Sequence, residues 1–220
     1  MRTLRALTIA TAVVVALPNV SGAQRGAPFK DSWFWGVKTG GLTLADSGQH
    51  LVAAPTIGID WLITRTHGGL YVAGSETFFS QHTFTFRDPV SPDSGLRPIS
   101  IKNLRKLDVA VMGFPGDYLN WHPYVGIGLS FGEVATVVPE GIFSNADQLN
   151  FANEVIADER AQFTPLLIGG AQWRLQKVSV FGQITASPAQ KNFIMYNGKP
   201  FNFGFELGAR YNIGTSIDRN

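Results

Sequence analysis

Residues 201–217 read FNFGFELGARYNIGTSI. Phe203, Phe205, Leu207, Ala209, Tyr211 and Ile213 fall on alternate positions. Between them stand Asn202, Gly204, Glu206, Gly208, Arg210 and Asn212. Side chains of a strand point alternately to its two faces, so one face here is greasy and the other polar or minimal. Strands of soluble sandwiches usually run about 5–6 residues, whereas about 9–11 tilted residues cross a bilayer. This segment is long enough to cross. Its Phe, Leu and Tyr side would meet lipid, and its Glu and Arg side a barrel lumen.

The same alternation recurs upstream. Strands are expected over 33–44, 53–65, 69–86, 101–114, 121–138, 162–175 and 178–187, which with the last segment makes eight. Ile57, Ile59, Trp61 and Ile63 oppose Gly58, Asp60, Leu62 and Thr64. Leu107, Val109 and Val111 oppose Lys106, Asp108 and Ala110. Val125, Ile127, Leu129 and Phe131 oppose Tyr124, Gly126, Gly128, Ser130 and Gly132. Glu133 falls on the apolar parity, which places it beyond the lipid or beside a bulge. The connections alternate in length, from long at 45–50 to short at 66–68, and so on to the long 188–200. An even strand number with long loops at one end and short turns at the other is the pattern of a membrane barrel. The longest loop, 139–161, is acidic and reads as solvated. Within it 145–159 has helical spacing, with Leu149, Ala152 and Ile156 on one face.

Trp and Tyr favour the membrane–water interface. Trp33, Trp35, Trp61, Trp121, Trp173 and Tyr211 all map to the short-turn half, predicting a periplasmic aromatic girdle. The other half should be Phe-rich, through Phe79, Phe84, Phe131, Phe163 and Phe203. Parity sends Lys38, Asp60, Glu76, Lys106, Asp108, Arg174, Glu206 and Arg210 inward, four acids and four bases. Unpaired charges in a closed lumen are costly, so they are expected to pair. The interior of an eight-stranded barrel is just wide enough for side chains to fill. The expectation is a plugged lumen with a structural charge network and no open pore.

The N-terminus has Arg2 and Arg5, an apolar run over 6–18, then Ser21, Gly22 and Ala23. This predicts a signal peptide, 1–23, ahead of a barrel domain, 24–220. Two of the 18 basic residues and none of the 16 acids precede position 24, leaving 16 of each. That balance, with no basic cluster, argues against a nucleic-acid partner. There is no cysteine, so core, closure and lipid must hold the fold. No apolar run after Ala23 reaches the roughly 18 residues of a spanning helix.

The final strand resembles the terminal strand of bacterial outer-membrane barrels, whose assembly signal is matched by Glu206, Gly208, Tyr211 and Ile213. Residues 107–131, LDVAVMGFPGDYLNWHPYVGIGLSF, resemble the central hairpin of the small eight-stranded outer-membrane barrels of the OmpA/OmpX type. That resemblance implies an all-β, eight-stranded antiparallel up-and-down transmembrane β-barrel in the bacterial outer membrane, with lipid and the barrel assembly machinery as partners. It leaves open what surface ligand the loops meet, since function sits on grafted sites.

Two other classes compete. Some eight-stranded barrels modify lipid A, and such deacylases carry His–x–Ser on one strand. None of His50, His67, His82 and His122 has Ser two residues on. The nearest substitute is Ser80 with His82, with Glu76 four residues before Ser80. A soluble lipocalin-like carrier would turn its apolar face inward. No histidine pair has metal-ligand spacing, and Gly126–x–Gly128 lies within a strand, so neither a metal nor another cofactor is expected.

Overall fold

The computed structural model describes residues 29–45, 51–79, 83–88, 95–116, 120–196 and 198–216. In chain order the strands are β1 (Ser32–Ala45), β2 (Leu51–Thr64), β3 (Gly68–Phe78), β4 (Thr83–Arg87), β5 (Leu96–Ile101), β6 (Asn103–Gly113), β7 (Trp121–Val134) and β8 (Val137–Pro139). Helix α1 (Ala146–Glu159) follows, then β9 (Ala161–Leu175), β10 (Val178–Pro188) and β11 (Phe201–Thr215). Eight of these strands close into a barrel in the order β1-β11-β10-β9-β7-β6-β3-β2. All eight contacts are antiparallel and join strands that follow one another around the barrel, with β11 closing on β1. Closure leaves the barrel sheet without an edge strand.

The parity of the sequence decides what each wall shows. On β11, Phe203, Phe205, Leu207 and Tyr211 are about half exposed on the outside, while Arg210 is 0% exposed. Ile59 and Ile127 face outward, and Asp60, Ser130 and Glu206 are buried inside. This is the reverse of a soluble carrier. Strand β11 has one register shift against β1, where Ile213 is passed over between Trp33 and Phe34.

Three expectations are corrected. The strand expected over 69–86 stops at Phe78. The chain then leaves the barrel, and β4 pairs with β5 in a separate three-stranded sheet, β4-β5-β8. The strand expected over 121–138 likewise ends at Val134, and β8 joins that sheet. The acidic loop is not merely solvated. Residues 146–159 are helical, capped by Asn145, whose side chain accepts from the Gln148 amide at 2.8 Å. Its buried face is Gln148, Ala152 and Ile156, one turn spacing apart. Leu149 points outward instead.

These extra elements build a cap over the long-loop end. Phe84, Phe86, Ile99 and Ile101 from the small sheet meet Ala152 and Ile156 from α1. Phe193, Ile194 and Met195 from the last long connection join them, and Leu42, Leu44, Leu104 and Val134 close the barrel rim below. Phe79 and Phe84 therefore lie in the cap core, stacked edge to face at 5.8 Å, not on a lipid-facing belt. Alternation cannot tell a wall that faces lipid from one that faces a lid, because both are apolar.

Candidate functional site

Among the described residues, the lumen gathers the largest group of buried charged and polar side chains. Asp60 and Arg210 form a fully buried, two-pronged ion pair, Nε to Oδ1 at 2.9 Å and Nη2 to Oδ2 at 3.2 Å. The remaining Arg210 prong donates to Gln172 Oε1 at 2.8 Å. The guanidinium also lies 3.7 Å from the Phe181 ring centroid, a favourable cation–π contact where water is excluded. Room for this comes from Gly36, where an added Cβ would sit 2.5 Å from Asp60 Oδ1 and 2.7 Å from Arg210 Cγ. At Gly208 an added Cβ would strike the Phe181 ring at 2.6 Å.

A second knot adjoins the first. Lys38 Nζ donates to both Glu206 oxygens, at 2.8 and 3.0 Å, and to the Tyr71 hydroxyl at 3.3 Å. Gln183 donates to Glu206 at 2.6 Å and to Tyr71 at 3.0 Å, and accepts from the Tyr124 hydroxyl at 2.9 Å. Sequence reasoning did not single out Gln183 or Tyr71. Gln183 carries no charge to flag it, and Tyr71 sits in the run Leu-Tyr-Val-Ala, where both parities are apolar. Nearer the cap, Asp108 accepts from Ser130 at 2.6 Å, with Lys106 Nζ 3.6 Å away.

Of the eight expected lumen charges, one faces outward and one lies at the mouth. Glu76 is corrected outright. Tyr71, Ala73 and Thr77 are the inward residues of β3, so Glu76 points outward, where Asn103 Nδ2 and Arg105 Nε engage its carboxylate. Arg174 keeps the inward parity but lies half-buried at the turn-end mouth, level with Ser179.

That mouth is closed by a segment ahead of β1. The Phe29 ring stacks on His122 at 3.9 Å and meets Phe114 edge-on at 4.9 Å. Thr64 donates to its carbonyl. His122 lies within β7, facing inward and 5% exposed. Nothing in the alternation of residues 33–44 extends to Phe29, which is why the reading of the strands missed it.

The six expected girdle residues share the outer wall at the short-turn end. Trp35 pairs across strands with both Trp61 and Tyr211, and Trp121 pairs with Trp173. Trp33 meets Trp61 edge-on at 5.2 Å.

Neisserial surface protein A superposes with a TM-score of 0.52 at 10% identity, over 82% of this chain and 97% of that one. The chain has the fold of the small eight-stranded outer-membrane β-barrels. The attachment invasion locus protein Ail of Yersinia pestis superposes with a TM-score of 0.49 at 10% identity, over 84% of this chain and 99% of that one. The outer membrane protease OmpT of Escherichia coli does so with a TM-score of 0.43 at 11% identity, over 84% and 98%. No protein-family model matches the chain, and no curated protein sequence does.

The cap carries polar ties of its own. Arg97 and Asp88 form a buried ion pair at 2.6 Å, and the Arg97 guanidinium lies 4.1 Å from the Phe143 ring centroid. The Ile194 amide donates to the Glu159 carbonyl at 2.9 Å, joining the last connection to the end of α1. Burial, and after it the neighbouring Asp158 carboxylate, pushes the Glu159 carboxyl above its ordinary value. The docked helix end therefore favours the protonated form, and that contribution is lost as pH rises through the raised value.

Ala152 is 0% exposed beneath this cap. Ala152→Asp would bury an unpaired carboxylate and make local opening easier by more than about 1.4 kcal/mol, so that cleavage within 140–160 by an added protease rises about tenfold or more. The barrel's resistance to unfolding in detergent should stay near wild type. Cleavage at the wild-type rate would show that the cap does not depend on α1. Among the described residues no group of three metal-ligand side chains converges. Ser80 and His82, like His50, lie outside the described residues, and the carboxylate nearest them in sequence, Glu76, is engaged by Asn103 and Arg105.

Proposed function

We propose that the chain is an integral barrel of the bacterial outer membrane, exported by a signal peptide at 1–23, inserted by the barrel assembly machinery, and non-enzymatic. Its lumen is plugged, and its work is done at the surface by the folded cap. The observation that carries this reading is the inversion of the walls. Phe205, Leu207, Ile59 and Ile127 are 50–66% exposed outside, while Lys38, Asp60, Glu206 and Arg210 are 0–5% exposed inside. In water such an outer wall would be a continuous apolar surface and an aggregation hazard. In acyl chains it is solvated.

The plug is supported by its layering. Phe29, Phe34, Leu62 and Met112 fill the turn end, the two charge knots fill the middle, and the apolar cap covers the far end. The polar middle serves as structure, because each of its charges is neutralised in place. The cap is the contact element because it is the part of the chain that stands clear of the barrel wall, with Ile142 93% exposed on it.

Fractionation tests the location. The full chain should sediment with outer membranes and resist carbonate extraction. Recovery in the soluble periplasm would overturn the proposal. Planar-bilayer recording tests the plug: no large steady conductance is expected from the wild type, and a stable open channel would refute it. Replacing Ser80 and His82 with Ala should leave the mass of lipid A unchanged in a strain carrying the protein, and a change would turn the reading to a lipid-modifying enzyme.

A further inference from the structure

Among the described residues, the outward positions of the eight barrel strands carry only three charged side chains, and all three lie in one row. Glu76 on β3 pairs in register with Arg105 on β6, and Arg105 with Glu133 on β7. Arg160 continues the row one residue before β9, its carbonyl accepting from the Val134 amide at 2.9 Å. Its Nη2 lies 3.2 Å from Glu133 Oε1, and Arg105 Nε lies 3.4 Å from Glu76 Oε1. The row alternates acid, base, acid, base across four neighbouring walls.

The row is neutral in sum but not in what it presents. The arginine side chains are 66% and 50% exposed, the glutamates 32% and 38%. Each carboxylate engages one nitrogen of its arginine, Nε of Arg105 and Nη2 of Arg160, and in each pair the guanidinium is the more exposed partner. Such planar forks match phosphate oxygens. Below the row stand Leu107, two residues from Arg105, Phe131, two from Glu133, and Phe163, three from Arg160, each 43–57% exposed. The row therefore lies where acyl chains end and headgroups begin.

A second observation places headgroups there. On β11 the outward residues from Phe201 to Ile213 are uncharged. At about 3.4 Å per residue and a tilt near 40°, that run spans about 31 Å of membrane height. On β7, directly below Glu133, the outward run from Trp121 to Phe131 is likewise uncharged and spans about 26 Å by the same measure, close to the usual apolar band of about 25 Å. The row therefore stands at the headgroup edge of that band.

Resting on the outer-membrane reading, we infer that Arg105 and Arg160 seat the phosphate groups of an outer-leaflet glycolipid against the β6–β7–β9 wall, with Glu76 and Glu133 positioning the two guanidiniums. Charge complementarity selects this occupant. The exposed edges are cationic, and they sit on an apolar wall that only an amphiphile with an anionic head covers as a whole.

The test reconstitutes the full chain and an Arg105→Gln/Arg160→Gln variant in phosphatidylcholine vesicles containing a small fraction of bisphosphorylated lipid A or of its dephosphorylated form. Detergent extraction and native mass spectrometry then count retained lipid. Wild type should retain the phosphorylated form, and the variant about tenfold less, the scale of a lost charge-assisted hydrogen-bond pair. The dephosphorylated form should be retained poorly by both. Equal retention by variant and wild type, or equal retention of the two lipids, overturns the inference. So does displacement of the lipid by millimolar inorganic phosphate, which would mark a free-anion site. Heat-modifiable gel migration after insertion separates the two levels. A wild type that inserts but retains no lipid A sinks only this inference, whereas one that fails to insert sinks the membrane reading with it.

Discussion

Arg210→Ala should destabilise the barrel by about 3–5 kcal/mol, the cost of stranding one member of a buried ion pair. The stranded group is Asp60, 1% exposed, with its two hydrogen bonds to the guanidinium removed. Gln172 Oε1 loses its donor as well, and the Phe181 ring loses the cation above it. Urea unfolding of the chain in phosphatidylcholine vesicles, followed by tryptophan emission, measures the difference. Asp60→Asn with Arg210→Met should recover most of the loss, since a matched neutral pair leaves no isolated charge. If Arg210→Ala lies within about 1 kcal/mol of wild type, water must already solvate the pair, and the plug reading fails.

Leu207→Arg should cost about 2–4 kcal/mol in the same assay, the depth-dependent penalty for a cation at mid-bilayer on a lipid-facing wall. Leu207 pairs across strands with Thr39 and Gly182, near the middle of β11, and is 50% exposed on the outside. The same substitution at Phe201, at the end of β11 nearest the cap, should cost about 0–1 kcal/mol. The gradient between the two sites is the informative quantity. A soluble barrel has no depth axis, so equal costs at Leu207 and Phe201 would remove the bilayer from the account.

The eight barrel segments were legible because one face of each is polar and one is not, and a slip of one residue would exchange them. Strand β11 shows this plainly, with Glu206 and Arg210 inside and Leu207 and Tyr211 outside. Where both parities are apolar the argument loses its grip. In β3, Leu70, Tyr71, Val72 and Ala73 read alike on both faces, so the register slipped and Glu76 was placed inside. Length failed for a different reason. Phe79, Phe84 and Phe86 continue the apolar character of β3, but they turn into the cap core, where lipid and lid are chemically equivalent. The acidic charge of 146–159 spoke for solvent, while Ala152 and Ile156, four apart, carried the quieter signal that one side docks. Of the lumen, charged residues were found by parity. Neutral connectors such as Gln183 have no signature until the partner strands are set side by side.

Both central ion pairs tie the first hairpin of the barrel to the strand that closes it: Lys38 and Asp60 belong to β1 and β2, and Glu206 and Arg210 to β11, 168 and 150 positions away. Until β11 docks on β1, Lys38 and Asp60 lack their counter-ions. Sealing the seam is therefore the step that neutralises the interior, and an unsealed barrel keeps water around both charges.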